Sequence, residues 1–198
     1  PALMLLLLAP NVKAADEGYL ELLQNGKPAA AIELATKLAR DGDARAQIFL
    51  AYRIYGVGGV ARDDSASLGW YLAAAERGSP DAQLALGGLY WDGVSVAQNN
   101  TLAARWYEKA AIQGNATGQA MLGWIYKEGL GVTADAAASL KWYHAAAAQG
   151  SATAQRGIAQ AYQDGAGVAK DLAEAAVWYE RAADQGDVWA QQALGFAY

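Results

Sequence analysis

The sequence contains no cysteine among its 198 residues, and this excludes disulfide bonds, thiolate nucleophiles and cysteine ligands for a metal. Histidine occurs once, at His144, and a single imidazole without cysteine cannot build a zinc site or a catalytic triad. Positive charge is also scarce, because 15 lysines and arginines face 20 acidic residues and give a net charge of −5. We therefore expect no nucleic-acid partner and no attraction to an anionic membrane surface.

Long apolar runs are missing too, and the one short run lies at the start of the chain. Residues 2–9 are ALMLLLLA, Pro10 follows, and Val12 and Ala14 occupy the two positions that a signal peptidase reads. The run is too short to cross a bilayer, so we expect no transmembrane segment. Residues 1–14 are interpreted as part of a secretory signal peptide, which predicts a periplasmic or secreted protein. The alternative is a stray apolar N-terminus on a cytosolic protein.

The main feature that the sequence does have is a period of 36 residues. Glutamine recurs at this spacing at Gln47, Gln83, Gln119, Gln155 and Gln191. A Trp-Tyr pair recurs with tryptophan at Trp70, Trp106, Trp142 and Trp178. Glycine recurs at Gly78, Gly114, Gly150 and Gly186. Alanine and other helix formers fill the intervals and β-branched residues are sparse, so the sequence predicts an all-α array of repeats.

Each period carries the signals for two helices, which we call helix A and helix B. In the second repeat Ser79 is the expected N-cap of helix A and Pro80 its first residue, with the helix ending near Trp91. Helix B is expected to begin after an Asp or Asn N-cap and to end at the recurring glycine; Asp171 and Glu174 form a predicted capping box. The short connections make successive helices antiparallel.

The repeat also predicts how the helices pack. We expect the tryptophan of helix B in the core, against an alanine four residues later, as with Trp106 and Ala110. We expect Gly87 and Gly123 of helix A to let a neighbouring helix approach closely. The recurring acidic residues at the end of helix A are interpreted as solvated charges in turns; they are Asp92, Glu128 and Asp164.

Domain boundaries follow from the same period. We expect four repeats, at residues 44–79, 80–115, 116–151 and 152–187, and the start of a fifth repeat at residues 188–198. Residues 15–43 are interpreted as a degenerate helix pair, because terminal repeats of such arrays are atypical. The sequence stops in the middle of a repeat, and we interpret it as a fragment of a longer protein.

The pattern within one repeat resembles the Sel-one-like repeat, a relative of the tetratricopeptide repeat. In the third repeat the pattern comprises Gln119, Leu122, Gly123, Tyr126, Gly129, Gly131, Val132, Trp142, Tyr143, Ala146, Ala147 and Gly150. The resemblance implies a right-handed α-solenoid of antiparallel helix pairs. It also implies a non-catalytic adaptor that holds other proteins or peptides, in bacteria often in the cell envelope.

Two positions of helix A differ from repeat to repeat, and variable positions on a shared scaffold are candidates for recognition. One position holds Tyr52 and Trp124 and the other holds Tyr55 and Trp91, with glutamine at both in the fourth repeat. The two positions lie one helical turn apart. We predict that Tyr52, Tyr55, Trp91 and Trp124 form a partner-binding strip. The alternative is that they only pack the seam between adjacent helices.

Two other functions stay open. Exposed aromatic side chains can stack on sugar rings, so a carbohydrate-binding module with a glycan partner is one alternative. Some cysteine-rich relatives are credited with binding or hydrolysing β-lactams, which makes an enzyme the second. This chain has no cysteine and no Ser-x-x-Lys motif in its repeats. We therefore predict no enzymatic activity, no cofactor and no metal site.

Overall fold

A computed structural model describes residues 18–54, 63–93 and 95–195 of the chain. All regular structure in these ranges is α-helical, which confirms the all-α prediction. The described helices are α1 (Gly18–Gln24), α2 (Pro28–Arg40), α3 (Ala44–Ile54), α4 (Asp64–Glu76), α5 (Pro80–Asp92), α6 (Asn100–Ile112), α7 (Ala116–Glu128), α8 (Ala136–Ala147), α9 (Ala152–Asp164), α10 (Leu172–Asp184) and α11 (Val188–Gly195). The predicted signal peptide at residues 1–14 and the predicted binding residue Tyr55 lie outside the described residues.

The chain divides between Ala74 and Ala75 into two compact units. The first unit contains α1, α2, α3 and most of α4. Alanines spaced by four residues form one buried stripe along α2, and α3 contributes larger side chains. The ring of Tyr19 on α1 lies 4.7 Å from the ring of Phe49 on α3, so these two aromatics join the first and third helices of the unit.

The second unit consists of repeated helix pairs. Helix A is α5, α7 and α9, and helix B is α6, α8 and α10; α11 takes the place of the next helix A. Each helix packs mainly on the helix before it and the helix after it along the chain. Contacts restricted to sequence neighbours are typical of a solenoid. The predicted arrangement of helix pairs with a period of 36 residues is confirmed.

Polar side chains begin the helices where the sequence predicts them. Helix A is capped by side-chain oxygens of Ser79, Asn115 and Ser151, which accept hydrogen bonds from backbone N–H groups. Helix B is capped in the same way by Asn99, Asp135 and Asp171. The predicted capping box is wrong in one respect. The carboxylate of Glu174 accepts a hydrogen bond from the indole N–H of Trp178, at 2.9 Å, and does not return to Asp171.

Glycines make the turn between helix A and helix B. Gly129 ends α7 in the left-handed conformation, with φ at 69°. Gly131 also has a positive φ, and a Cβ atom there would collide with the carbonyl group of Asn100 in α6. Gly167 meets the carbonyl group of Ala136 in α8 in the same manner. Each of these turns therefore rests on the first turn of helix B in the preceding repeat, and glycine is required there for both its conformation and its size.

The structure corrects the prediction that the tryptophan of helix B fills the core. The tyrosine that follows it is buried instead: Tyr107 and Tyr143 are 4% exposed and Tyr179 is 8% exposed. The tryptophans are only partly buried. Their exposed faces attract cations, as at Trp106, where Nζ of Lys109 lies 4.0 Å from the ring centroid. The recurring alanine is buried as predicted, and Ala146 and Ala182 lie in the same buried clusters as Tyr143 and Tyr179.

The buried tyrosine rings lie directly on glycines of helix A. A Cβ atom at Gly87 would lie 2.6 Å from Cε1 of Tyr107, and one at Gly123 would lie 2.7 Å from Cδ1 of Tyr143. Gly157 of α9 meets the same ring nearer its hydroxyl end, where a Cβ atom would lie only 2.6 Å from Cζ. The expected close approach at Gly87 and Gly123 is therefore confirmed, and the group that approaches is a tyrosine ring.

The recurring glutamine joins helices through both ends of its amide. Nε2 of Gln119 donates to the carbonyl oxygen of Ala111 near the end of α6, at 3.1 Å. Oε1 of Gln119 accepts a hydrogen bond from Nε2 of Gln149, which follows α8, at 2.8 Å. Gln83 makes the corresponding two hydrogen bonds one repeat earlier. Because buried amides need partners, these bonds fix how consecutive repeats stack.

The two adjacent glycines of α5 should respond oppositely to substitution. Gly87→Ala places a methyl group into the Tyr107 ring and should lower the free energy of unfolding by about 1–3 kcal/mol. Among the described residues, a Cβ atom at Gly88 would meet only the Tyr107 hydroxyl oxygen, at 3.8 Å. Gly88→Ala should therefore raise the free energy of unfolding by up to about 1 kcal/mol through helix propensity. Urea denaturation measures both. Equal effects of the two substitutions would contradict the packing described here.

Candidate functional site

One face of helix A carries residues that are exposed or only partly buried. It comprises three residues per helix at spacings i, i+3 and i+4, which share one face of an α-helix. We call this set the helix-A surface, and in the second unit it consists of Gly88, Trp91 and Asp92 on α5, Trp124, Lys127 and Glu128 on α7, and Gln160, Gln163 and Asp164 on α9. The predicted residues Trp91 and Trp124 belong to it.

The two tryptophans of the helix-A surface contact each other across consecutive repeats. The ring centroids of Trp91 and Trp124 are 4.8 Å apart and the planes are inclined by 67°, an edge-to-face arrangement. Both side chains are partly buried, and both pack beside the buried cluster that contains Tyr107 and Leu122. The structure therefore brings together two of the four predicted site residues. Tyr52 lies on α3 in the first unit and is partly buried.

Polar side chains continue the helix-A surface from α7 to α9. Nζ of Lys127 donates to Oε1 of Gln160 at 3.2 Å and lies 3.4 Å from Oε1 of Glu128. The hydroxyl group of Tyr179 donates to Oε1 of Gln163 at 2.7 Å. The surface thus changes from aromatic on α5 and α7 to amide and charged on α7 and α9.

Gly88 has no side chain at a position where α7 carries Trp124 and α9 carries Gln160. Among the described residues, a Cβ atom there would find no atom outside α5 within 4 Å except the hydroxyl oxygen of Tyr107. A glycine inside a helix lowers stability by roughly 1 kcal/mol relative to alanine. By the spacing of the Trp91–Trp124 pair, the counterpart of Gly88 in the preceding repeat is Tyr55, which lies outside the described residues.

The acidic residues at the end of helix A are exposed, as expected of solvated charges, but they lie at the last helical position and not in the turn. Asp92, Glu128 and Asp164 are the last residues of α5, α7 and α9, and all three are exposed. Their recurrence is evident from the sequence, but the predicted binding strip does not include them. The signal that could have placed them on this surface is the helical spacing, because Asp92 follows Gly88 by four residues and Glu128 follows Trp124 by four.

The pKa values of two buried tyrosines are affected by the charges on this surface. Burial raises the pKa of Tyr107 to about 12, and the negative charge of Asp92 adds to the effect. Burial also raises the pKa of Tyr143 to about 12; Arg156 opposes this increase and Glu128 adds to it. The carboxylates at the helix ends therefore act on the tyrosine hydroxyl groups of the same repeats.

The described residues also locate the remaining sequence candidates. His144 is exposed, and its ring lies 5.7 Å from that of Trp178 in an edge-to-face contact. No group of three or more His, Asp or Glu side chains within the described ranges is arranged to hold a metal ion. None of the helices in this part of the chain is long and apolar enough to cross a membrane.

Comparison with known families decides what the repeat is. The Sel1 repeat matches the chain at residues 44–79, 80–115, 116–151 and 152–187. The chain belongs to the Sel1-repeat family. The resemblance inferred from the sequence pattern is confirmed. Sel1-repeat proteins are generally scaffolds for protein–protein interaction, and the fold is typically not enzymatic.

Two solved structures similar to this Sel1-repeat chain come from longer proteins. A protective antigen of uropathogenic Escherichia coli with an SLR fold is 39% identical, with a TM-score of 0.81 over 83% of this chain and 35% of the antigen. A Sel1 repeat protein from Oxalobacter formigenes is 33% identical, with a TM-score of 0.76 over 85% of this chain and 49% of that protein. The chain thus spans about a third and about half the length of these two relatives.

A more distant structure shares the fold alone. Cysteine-rich protein B of Helicobacter pylori is 21% identical, with a TM-score of 0.52 over 62% of this Sel1-repeat chain and 91% of that protein. No curated protein sequence matches the chain.

Alkaline pH should destabilise the folded chain between about pH 10 and 12. An unfolded tyrosine loses its proton near pH 10, whereas Tyr107 and Tyr143 keep theirs until about pH 12 in the folded state. This stabilisation is complete below about pH 10 and is lost as the pH rises through about 12. Urea denaturation at about pH 9 and pH 11 should show the loss.

The control for this prediction is a variant with phenylalanine at both tyrosine positions. It has no hydroxyl groups to titrate at these sites and should lose less stability over the same pH interval. An equal loss in the parent and in the Tyr107→Phe/Tyr143→Phe variant would contradict the assignment.

Proposed function

We propose that this chain is a non-catalytic adaptor of the bacterial cell envelope, periplasmic or secreted, that binds another protein or a peptide along the A helices. The binding strip predicted from sequence, Tyr52, Tyr55, Trp91 and Trp124, is part of this proposal. In the second unit the strip lies within the helix-A surface.

Recurring and variable positions of the repeat have different roles, and this supports a scaffold function. The recurring tyrosine, glycine and glutamine residues are occupied by contacts inside the array. The side chains that differ between repeats lie at positions 88, 91, 124, 127, 160 and 163 and are at least partly exposed. A fold whose shared residues build the frame leaves its variable residues for recognition.

The observation that carries the proposal is the aromatic pair on the helix-A surface. Trp91 and Trp124 are partly exposed, although the repeat does not require an aromatic residue at either position. Tryptophan is enriched among residues that contribute most to binding. Gly88 belongs to the same surface and has no side chain there.

Export from the cytosol is supported by two separate observations. The apolar run at residues 2–9 and the following Pro10 and Ala14 are typical of a secretory signal. The protein that is 39% identical to this chain is a protective antigen. An antigen that protects is one that the immune system reaches, and we propose the same exposure here.

The carbohydrate-binding alternative has one observation in its favour. Trp189 on α11 is 69% exposed, and a free indole face can stack on a sugar ring. A β-lactam-hydrolysing function has less support, because the hydroxyl groups of Ser79 and Ser151 cap helices and that of Ser67 donates to the carbonyl oxygen of Ala51. We therefore propose an adaptor and treat glycan binding as an outcome of the test.

Gly88→Gln should separate binding from folding. Glutamine occupies the same position in the fourth repeat, as Gln160, so the helix tolerates it and the melting temperature should hardly change. The new side chain adds bulk to the helix-A surface and should weaken capture of a protein from a bacterial envelope extract by about tenfold or more. The measurement is quantitative mass spectrometry of captured proteins, with melting temperatures by circular dichroism.

The matched control is Gly69→Gln on α4. A Cβ atom at Gly69 would meet no described atom within 4 Å outside its own helix backbone, and the residue is exposed. Both variants add one glutamine at an open helical glycine, but only Gly88 belongs to the helix-A surface. Equal capture by both variants and the parent would contradict the proposal. Binding to a glycan array that Gly88→Gln leaves unchanged would favour the carbohydrate alternative.

A further inference from the structure

The turn between α1 and α2 contains the one asparagine of the sequence that is followed by glycine. Asn25 precedes Gly26, whereas the other four asparagines precede valine, asparagine, threonine or alanine. Both residues of the pair are exposed. Among the described residues, the side-chain amide of Asn25 has no hydrogen-bond partner. This amide can therefore react with the backbone that follows it.

The other asparagines of the described ranges are held by the fold. The side-chain oxygens of Asn99 and Asn115 accept hydrogen bonds from backbone N–H groups at the starts of α6 and α7, at 3.0 and 2.8 Å. The side-chain oxygen of Asn100 is buried. A side chain on the following residue also hinders attack by the backbone nitrogen, and glycine has none. Asn25 thus differs from these three in both its surroundings and its neighbour.

We propose that Asn25 deamidates through a cyclic imide with Gly26, and that release of α1 controls the rate of this modification. The backbone nitrogen of Gly26 loses its proton to water and forms a bond to Cγ of Asn25. The bond from Cγ to Nδ2 then breaks, and Nδ2 takes up a proton and leaves as ammonia. Water opens the imide at Cγ to give aspartate, or at the backbone carbonyl carbon to give isoaspartate.

The folded turn slows the reaction because it occupies the nitrogen that must attack. The N–H group of Gly26 donates to the carbonyl oxygen of Leu23 at 3.0 Å, and that of Lys27 donates to Leu22 at 2.9 Å. With Gly26 at a φ of 68°, these two bonds form a cap that commonly ends an α-helix. The nitrogen becomes available when this cap opens.

The cap ends a helix that depends on its neighbours. Helix α1 has only 7 residues, and isolated helices shorter than about 12 residues are marginal in water. Its buried contact is made by Tyr19, which is 4% exposed and whose ring lies 4.7 Å from that of Phe49 on α3. Opening of the cap is therefore linked to release of α1. The rate of deamidation then follows the population of the released form.

The products of the reaction favour the released form. Deamidation places a carboxylate at the C-terminal end of α1, where the helix dipole is already negative. Isoaspartate also carries the main chain through Cβ and Cγ of the former Asn25, which lengthens the turn and separates the N–H groups of the cap from their acceptors. Modification therefore makes release of α1 easier and uncovers Phe49 in the buried cluster of the first unit.

A second turn of the same unit provides a matched comparison. Asp41 and Gly42 follow α2, and the N–H groups of Gly42 and Asp43 donate to carbonyl oxygens of α2 at 3.1 and 2.9 Å, in the same pattern as after α1. Asp41 is exposed, as Asn25 is. Helix α2, however, has 13 residues and a stripe of buried alanines. Its cap should open less often, so an asparagine introduced by Asp41→Asn should react more slowly than Asn25.

Mass spectrometry of proteolytic peptides tests the inference. The intact chain is incubated in mildly alkaline buffer, and conversion at Asn25 is compared with that in a synthetic peptide of residues 18–34. We expect Asn25 to react before any other asparagine, and more slowly in the chain than in the peptide by about tenfold or more. Tyr19→Ala should remove most of this protection. Asp41→Asn should add a second site that reacts more slowly than Asn25.

The control variant is Asn25→Gln, which keeps an amide side chain in the turn. Glutamine precedes the glycine that follows α6, α8 and α10, so a turn of this kind tolerates it, and its longer side chain would have to form a larger ring. Hydrogen exchange of α1 should stay constant during incubation of this variant. In the parent, exchange of Gly18–Gln24 should become faster as the isoaspartate form accumulates.

Three results would overturn the inference. Equal rates in the chain and in the peptide would mean that the fold does not control the reaction. Equal rates at Asn25 and at the site introduced by Asp41→Asn would mean that the preceding helix has no influence, and this comparison holds even if Tyr19→Ala unfolds the first unit. Unchanged hydrogen exchange of α1 after modification would contradict the effect of the product.

Discussion

The contact between a tyrosine ring of helix B and a bare glycine Cα of helix A determines how the repeats of the second unit are built. Tyr107 on Gly87, and Tyr143 on Gly123 and Gly157, fill space in which no Cβ atom fits. Because the tyrosine takes the core position, the tryptophan before it in sequence stays partly exposed. A lysine or arginine side chain then lies over the face of its ring, as at Trp106 and Trp178. Burial of the tyrosine also raises its pKa, which couples the packing to alkaline stability.

Much of this fold follows from local chemistry that a sequence displays. Helix ends were predictable because each has its own signal, a capping oxygen such as Asn99 or a left-handed glycine such as Gly129. Which aromatic residue faces the core was not predictable. Ala110 lies four residues after Trp106 and three after Tyr107, and both spacings place side chains on one face of a helix. Only the glycine on the opposing helix decides between them, and that is a tertiary contact.

The candidate site was likewise predictable from the sequence only in part. Variation between repeats was enough to select Trp91 and Trp124, which the structure places in contact. It was not enough to place Asp92 and Glu128 on the same surface, because a one-residue difference in where helix A ends moves them from a turn to the last helical position. Gly88 shares the variable position of Tyr52 and Trp124, but the predicted strip comprises only the aromatic residues. It differs from Gly87 in that none of the described rings lies against it, apart from the hydroxyl group of Tyr107.

A double-mutant cycle between Gly87 and Tyr107 tests the central contact most directly. Gly87→Ala is compared in the parent and in a Tyr107→Ala background, with the free energy of unfolding measured by urea denaturation. If the ring is the reason for the glycine, the alanine should destabilise the parent and be neutral or stabilising once the ring is gone. The same loss of stability in both backgrounds would contradict the account, because the glycine would then serve the backbone and not the tyrosine.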